Sequence, residues 1–111
     1  MRALVISSAL LLTVLVPCVA TAANWVRNPD QPNQWIDLES RKPDDEVIRF
    51  DVSLSTNSDT GAPSTAKDDL VIELLNCKSG KRIMILPMLD NDTRHLPTLS
   101  DDDPLFHLIC G

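Results

Sequence analysis

The clearest pattern of apolar and polar positions lies in residues 47–55 (VIRFDVSLS). Four apolar residues fall on one parity, and the residues between them are mostly polar. Side chains of a strand point alternately to opposite faces, so this alternation predicts an antiparallel strand with one buried face.

Two shorter apolar segments precede this strand, at residues 24–27 (NWVR) and 34–38 (QWIDL). The intervening NPDQPN is rich in turn-forming residues, and its two prolines exclude a helix. We expect two short strands with Trp25 and Trp35 as packing anchors; ligand stacking by these rings is the less supported alternative. Residues 41–45 (RKPDD) are expected to form a polar turn.

A hairpin is predicted from residues 69–76 (DLVIELLN) and 82–88 (RIMILPM). Gly80 lies in the connection and can adopt the positive φ that a tight turn requires. Residues 70–75 could instead begin a helix, but their β-branched residues and short length favour a strand. Pro87 cannot donate to a sheet ladder, so it indicates a strand end or a sheet edge.

The remaining segments are less regular. The twelve residues 56–67 (TNSDTGAPSTAK) lack an apolar period and predict a long mobile loop, which could contact a partner.

Residues 89–99 are expected to be irregular. Residues 104–110 (PLFHLIC) follow a polar, acidic entry and begin with proline, which predicts a short C-terminal helix. The predicted fold is α+β, a small antiparallel β-sheet with a short C-terminal helix.

Residues 1–23 have the layout of a secretory signal peptide. Arg2 is followed by the uncharged stretch 3–16, Pro17 and the small residues Ala20–Thr21–Ala22. The fourteen residues of that stretch are too few to span a bilayer, which needs about 20. We expect cleavage after residue 23, leaving residues 24–111 as one exported domain without a membrane span. A lipoprotein signal ending at Cys18 is the alternative, but proline fits poorly before a lipidated cysteine.

Removal of the signal leaves two cysteines, Cys77 and Cys110. In an oxidising compartment, a pair of cysteines implies a disulfide, and a domain of about 88 residues benefits from such a covalent link. A free reactive thiol is the alternative. Metal binding is disfavoured because nothing near these cysteines has zinc-site spacing.

The charge balance narrows the range of partners. Sixteen acidic residues outnumber ten basic ones, and the formal net charge is −6. Loss of Arg2 with the signal makes the exported domain more acidic still. Nucleic acids and anionic membranes are therefore poor partners, whereas basic partners would be attracted; solubility is the plainer explanation of the acidity.

The sequence offers little evidence for catalysis or for cofactor or metal binding. His95 and His107 are the only two histidines, and no serine lies in a nucleophile-elbow motif. The aspartates of residues 90–103 do not match an EF-hand loop, and helix capping and solvation explain them better than the alternative of a weak surface calcium site. The sequon Asn91–Asp92–Thr93 would matter only in a eukaryotic secretory pathway. We therefore predict no catalytic, cofactor-binding or metal-binding residues.

The order of features resembles the bacterial surface-adhesin protein E-like family. The resemblance rests on the export signal, the Trp35–Ile36–Asp37 segment, a strand end at Glu73 to Cys77, and a final cysteine at Cys110. The spacing from Glu73 to Cys77 is looser than the family pattern, and the glycine-rich segment expected after the hairpin is missing. The resemblance implies a sheet with a helix packed on it, a disulfide between Cys77 and Cys110, and, for the family's namesake, a homodimer that binds host matrix and serum proteins.

The predicted function is a non-enzymatic protein-binding role at the bacterial envelope, either adhesin-like at the cell surface or in the periplasm. Residues 56–67, together with the sheet face that the helix leaves open, are the expected contact surface. An unpaired strand edge would also permit a homodimer. The alternative is a periplasmic inhibitor or immunity-type protein that caps a partner enzyme, and a small enzyme or metal-binding protein ranks third.

Overall fold

The computed structural model describes residues 22–111. These residues form one six-stranded antiparallel sheet in which every strand pairs with its neighbour in sequence. One short helix follows the last strand. The elements are β1 (Trp25–Arg27), β2 (Trp35–Asp44), β3 (Val47–Ser53), β4 (Leu70–Asn76), β5 (Arg82–Leu86), β6 (Asp92–Leu96) and α1 (Pro104–Cys110), with short 3₁₀ turns at Lys67–Asp69 and Pro87–Leu89.

The hydrophobic core lies on the side of the sheet that α1 covers. Phe50 and Val52 of β3, identified by the alternation in the sequence, are fully buried there. They pack with Leu105 and Ile109 of α1, which are 0% and 2% exposed. We call this side of the sheet the core face and the opposite side the open face. The other buried core residues are Ile36, Val71, Leu75 and Leu99.

The prediction of a polar turn over residues 41–45 was wrong at its start, because β2 continues to Asp44. The register of β2 against β3 shifts between Asp37 and Lys42, and this irregularity disrupts the alternation expected of a strand. Pro43 has no backbone N–H to donate to a neighbouring strand. It is tolerated because β1 pairs only with the beginning of β2, so no strand lies beside Pro43 on that side of β2. The turn to β3 is limited to two residues and begins at Asp45, with φ at +61°.

The irregularity in β2 is held by two side chains. The Ser40 hydroxyl donates to the Asp37 carbonyl and accepts from the Asp51 amide at 2.7 Å, which ties the extra residues to β3. The Arg41 guanidinium donates to the carbonyls of Leu38 and Leu108, at 2.9 and 3.2 Å. This arginine therefore links the sheet to α1.

The prediction that residues 89–99 are irregular was also wrong, because β6 lies within them. Four of its five residues are exposed, so no apolar alternation marks the strand. β6 is the last strand of the sheet, and edge strands commonly carry polar and charged residues. It pairs with β5 over its full length, from Arg82 opposite Leu96 to Leu86 opposite Asp92.

A disulfide joins Cys77, just after β4, to Cys110 in the last turn of α1. The two Cα atoms are 5.8 Å apart, within the usual range. The expected antiparallel sheet, short helix and disulfide are thus present. The described chain is mostly sheet, with a single seven-residue helix, so α+β describes it only loosely.

The predicted signal peptide falls almost entirely on residues 1–21, which lie outside the described residues. Within residues 22–111, neither 3₁₀ turn nor α1 is long and apolar enough to cross a membrane.

Candidate functional site

The open face carries aliphatic side chains on the two strands β4 and β5. Successive side chains of a strand point to opposite faces of the sheet. Ile72 pairs with Ile85 and Leu74 pairs with Ile83, and these four side chains point to the open face. All four side chains, and that of Leu70, are half-buried although no described helix packs on this face. An antiparallel sheet usually exposes polar residues on its solvent side. These five residues, which we call the aliphatic patch, depart from that rule.

The sequence of β4 makes the apolar character of the open face more unusual. Its one charged side chain, Glu73, points to the core face, while Ile72 and Leu74 on either side point to the open face. Burying Glu73 among apolar neighbours is unfavourable, as is exposing the isoleucine and leucine. The orientation of β4 is therefore set by the rest of the core, and it leaves an apolar surface on the open face.

Polar residues border the aliphatic patch on β2 and β3. Asp51 pairs with Ile72 on one side and with Asp37 on the other. Partial burial raises the pKa of Asp51, and Asp37 adds to this rise, whereas Arg49 opposes it. The Asp37 carboxylate accepts from the amides of Asn24 and Glu39 at 2.8 and 3.0 Å. The open face thus combines an aliphatic half with a charged half.

The loop over residues 56–67 is folded against one end of the open face. The Ser53 hydroxyl, fully buried on this face, donates to the carbonyls of Ser55 and Ser64, at 3.1 and 2.6 Å. The Trp35 indole donates to the Thr56 hydroxyl at 3.0 Å, and the Arg27 guanidinium lies 4.3 Å above the same ring system. The two surfaces predicted from the sequence as contact regions therefore adjoin each other.

The loop is also organised internally by hydrogen bonds between its own residues. The Asn57 carboxamide oxygen accepts from the amides of Asp59 and Thr60, and Gly61 donates to the Asn57 carbonyl at 2.8 Å. These bonds form a compact turn of the type that asparagine favours. A short bridge between Thr56 and Pro63 closes its base.

A cleft of about 460 Å³ lies on the core face, next to α1. The connection from β1 to β2 forms one wall and the connection from β6 to α1 forms the other, above a floor contributed by β4 and β5. The residues of the floor are Glu73, Arg82 and Met84. The residues of the walls are Asn28, Asp30, Gln31 and Gln34 on one side and Leu96, Pro97, Thr98, Leu99 and Asp103 on the other.

The floor of the cleft holds a buried ion pair. Arg82 Nη1 lies 3.4 Å from Glu73 Oε2, and the two side chains are only 11% and 3% exposed. The Arg82 Nε group also donates to the Pro97 carbonyl at 2.9 Å. Burial raises the pKa of Glu73, and the nearby arginine only partly offsets this rise. Removing water from the carboxylate therefore outweighs the attraction of its partner.

Two further carboxylates meet at the rim of the cleft. Burial raises the pKa of Asp30, and the neighbouring Asp103 carboxylate adds to this rise. Asp103 also caps α1 by accepting from the Leu105 amide at 2.9 Å. The cleft therefore contains three carboxylates and one guanidinium.

The two histidines lie on different elements. His95 lies on the open face of β6 opposite Ile83, and His107 lies in α1 with its ring 6.1 Å from that of Phe106. Residues 22–111 contain no group of three or more His, Cys, Asp or Glu residues arranged to hold a metal ion. The Asp102 carboxylate accepts a hydrogen bond from the Ser100 hydroxyl, which lowers its pKa.

Comparisons with protein-family models, with curated proteins and with solved structures found no match to this chain. The resemblance to the surface-adhesin protein E-like family therefore stays a prediction.

The cleft was not predicted from the sequence. One signal was available, since Glu73 is the only charged residue in the apolar run LVIELL and Arg82 begins the next one, RIMIL. The contributions of Asn28 and Asp30 could not be predicted, because they come from a turn more than forty residues earlier in the chain.

Proposed function

We propose that the chain is an exported protein of the bacterial envelope with a non-enzymatic protein-binding role, and that the open face is its contact surface. The observation that carries the proposal is the aliphatic patch, which no described helix covers. Apolar side chains gathered on one exposed face are typical of protein interaction sites. A patch bordered by polar residues, here Asp51 and Arg49, fits the usual arrangement of such interfaces.

The adjoining loop over residues 56–67 supports the same surface. Its turn is held by hydrogen bonds to the sheet, so little conformational entropy would be lost when a partner binds. Trp35 anchors the loop from below, and the exposed Asp59 and Thr60 lie at its tip. The loop and the aliphatic patch could together contact one partner.

Site-specific crosslinking in the producing cells tests this proposal. A photoreactive phenylalanine analogue placed at Ile72, on the open face, should give a discrete crosslinked product. The same analogue at the exposed His107, on α1, serves as the matched control. The product from Ile72 should disappear when Ile85, opposite it in the ladder, is changed to threonine. Equal products from both positions, or none from Ile72, would contradict the proposal.

The identity of the product crosslinked at Ile72 distinguishes a homodimer from a complex with a partner enzyme. A product of twice the mass of the chain would indicate a homodimer through the open face. A partner enzyme whose activity falls on binding would favour the inhibitor or immunity-type alternative. Digestion of the chain by protease added to intact cells would place it on the cell surface, whereas protection until the outer membrane is permeabilised would place it in the periplasm.

A further inference from the structure

The cleft on the core face contains buried polar atoms that have no hydrogen-bond partner within residues 22–111. Asn28 is 3% exposed, and its side-chain oxygen accepts from the Asp30 amide at 2.8 Å, but its amide nitrogen makes no hydrogen bond within residues 22–111. The second oxygen of Glu73 likewise receives no hydrogen bond in this part of the chain. Buried polar groups are nearly always hydrogen-bonded, so each of these atoms requires an explanation.

The charges around the cleft indicate what would satisfy the unpaired acceptor. Asp30, Glu73 and Asp103 contribute carboxylates, and Arg82 is the one guanidinium that lines the cleft. Arg82 is already engaged by Glu73 and by the Pro97 carbonyl. A second cation entering the cleft would relieve the repulsion between Asp30 and Asp103 and could donate to the free oxygen of Glu73.

The shape and the remaining lining groups narrow the ligand further. The cleft is lined by the apolar side chains of Met84, Leu96 and Leu99 as well as by charges, so it suits a ligand with an aliphatic stem and a cationic end. The free amide of Asn28 would donate to a carbonyl oxygen. A lysine or arginine in a peptide chain has all three features, namely a stem, a cationic head and a backbone carbonyl.

We propose that this cleft binds a lysine or arginine side chain presented by a protein partner. The inference depends on the proposed protein-binding function only for the source of that side chain. The cleft and the open face lie on opposite sides of the sheet, so one partner would reach around the sheet or two partners would bind separately. A test of the cleft itself needs neither the open face nor an identified partner.

The test is a titration of the isotopically labelled exported domain with blocked tripeptides, followed by two-dimensional NMR. The probes are acetyl-Gly-Arg-Gly-amide, its lysine counterpart and its glutamine counterpart, with guanidinium chloride at matched ionic strength. We expect saturable shifts of amides around Asn28, Glu73 and Leu99 with the two basic peptides, and binding at least about tenfold weaker for the glutamine peptide.

Two variants make the result specific to the cleft. Asp30→Asn removes a rim carboxylate and should weaken binding of the basic peptides by about threefold to tenfold. Asp68→Asn removes one exposed carboxylate in the 3₁₀ turn Lys67–Asp69, outside the lining of the cleft, and should leave the affinity unchanged. Shifts that do not saturate, equal binding of the glutamine peptide, or equal effects of both variants would overturn the proposal. Binding of guanidinium ion as tight as that of the arginine peptide would refute the preference for a protein side chain. Failure here with a positive crosslink from Ile72 would leave the protein-binding function intact.

Discussion

The carbonyl oxygen of Leu99 lies where a side chain on Gly80 would have to be. A Cβ atom added to Gly80 would lie 2.0 Å from that oxygen. The two residues are also hydrogen-bonded, since the Leu99 amide donates to the Gly80 carbonyl at 2.9 Å. This contact fastens the connection from β6 to α1, which forms one wall of the cleft, against the β4–β5 hairpin.

Substitution Gly80→Ala should therefore destabilise the protein strongly. The residue has φ at +78°, which costs an alanine about 1–2 kcal/mol, and the clash with backbone should add about 1–3 kcal/mol. Gly61→Ala is the matched control, because φ is +74° there but nothing lies within 4 Å of the added atom. Urea unfolding should show a loss of stability about twice as large for Gly80→Ala as for Gly61→Ala. Equal losses for the two variants would mean that the contact with Leu99 is unimportant.

The disulfide should contribute about 3–4 kcal/mol, from the loop-closure entropy of a 33-residue separation. The double variant Cys77→Ser, Cys110→Ser tests this value without leaving a free thiol. We expect its urea midpoint to fall and its sensitivity to added reductant to disappear. Wild-type protein treated with reductant should match the double variant. An unchanged midpoint would show that α1 is held mainly by Leu105 and Ile109.

Removal of Arg82 should reduce the free energy of unfolding more than removal of Arg94, although Arg94 forms the shorter ion pair at the surface. Arg82→Met leaves the Glu73 carboxylate buried without its cation and should cost about 3–5 kcal/mol at neutral pH. Arg94→Met is the control: Arg94 lies only 2.8 Å from Asp92, but both side chains are more than half exposed to water, so the expected loss of stability is much smaller.

Replacement of both Glu73 and Arg82 tests whether the loss of stability in Arg82→Met comes from the unpaired Glu73 carboxylate. Glu73→Leu combined with Arg82→Met removes two buried charges together, so the double variant should recover most of the stability lost in Arg82→Met. Chemical denaturation of the single and double variants gives the coupling between the two residues. A double variant that is less stable than Arg82→Met would show that the ion pair is not the cause of the loss.

The sequence predicted those elements whose own residues, through an apolar pattern or a helix cap, favour the structure that the fold requires. The alternation around Phe50 and Val52 predicted β3 because the core face and the open face differ in polarity there. The polar, acidic residues 100–103 and Pro104 predicted the start of α1, because the entry to a helix depends on neighbouring residues alone. β6 escaped prediction, since an edge strand such as Asp92–Leu96 gains its structure from pairing with β5 and not from its own apolar pattern.

The candidate surfaces were predictable to different degrees. Residues 56–67 were predicted from the sequence to form a loop that could contact a partner, but their attachment to Ser53 depends on a hydroxyl buried by tertiary structure. The open face was expected, whereas its aliphatic character follows from the direction in which Glu73 points. The cleft brings Asn28 together with Asp103, and no local pattern reports a contact across so many residues.

The raised pKa of Glu73 predicts an unusual dependence of stability on pH. Burial of the carboxyl raises its pKa above the ordinary value of 4.5, so the folded state binds a proton more tightly than the unfolded state. By linkage, the free energy of unfolding falls as the pH rises through the interval between 4.5 and the raised value. Asp30 and Asp51 have raised pKa values as well and contribute in the same direction.

We therefore expect the wild-type protein to become more stable as the pH is lowered from neutral towards the ordinary glutamate pKa of 4.5. At lower pH the trend should reverse, because Asp92 and Asp102 have pKa values below the ordinary 3.8 and their stabilising contribution is lost on protonation. Glu73→Gln should flatten the gain between neutral and mildly acidic pH and leave the loss at lower pH. Urea unfolding at a series of pH values measures both effects. A Glu73→Gln profile parallel to that of the wild type would show that Glu73 keeps an ordinary pKa, because water or the Arg82 guanidinium compensates its burial in full.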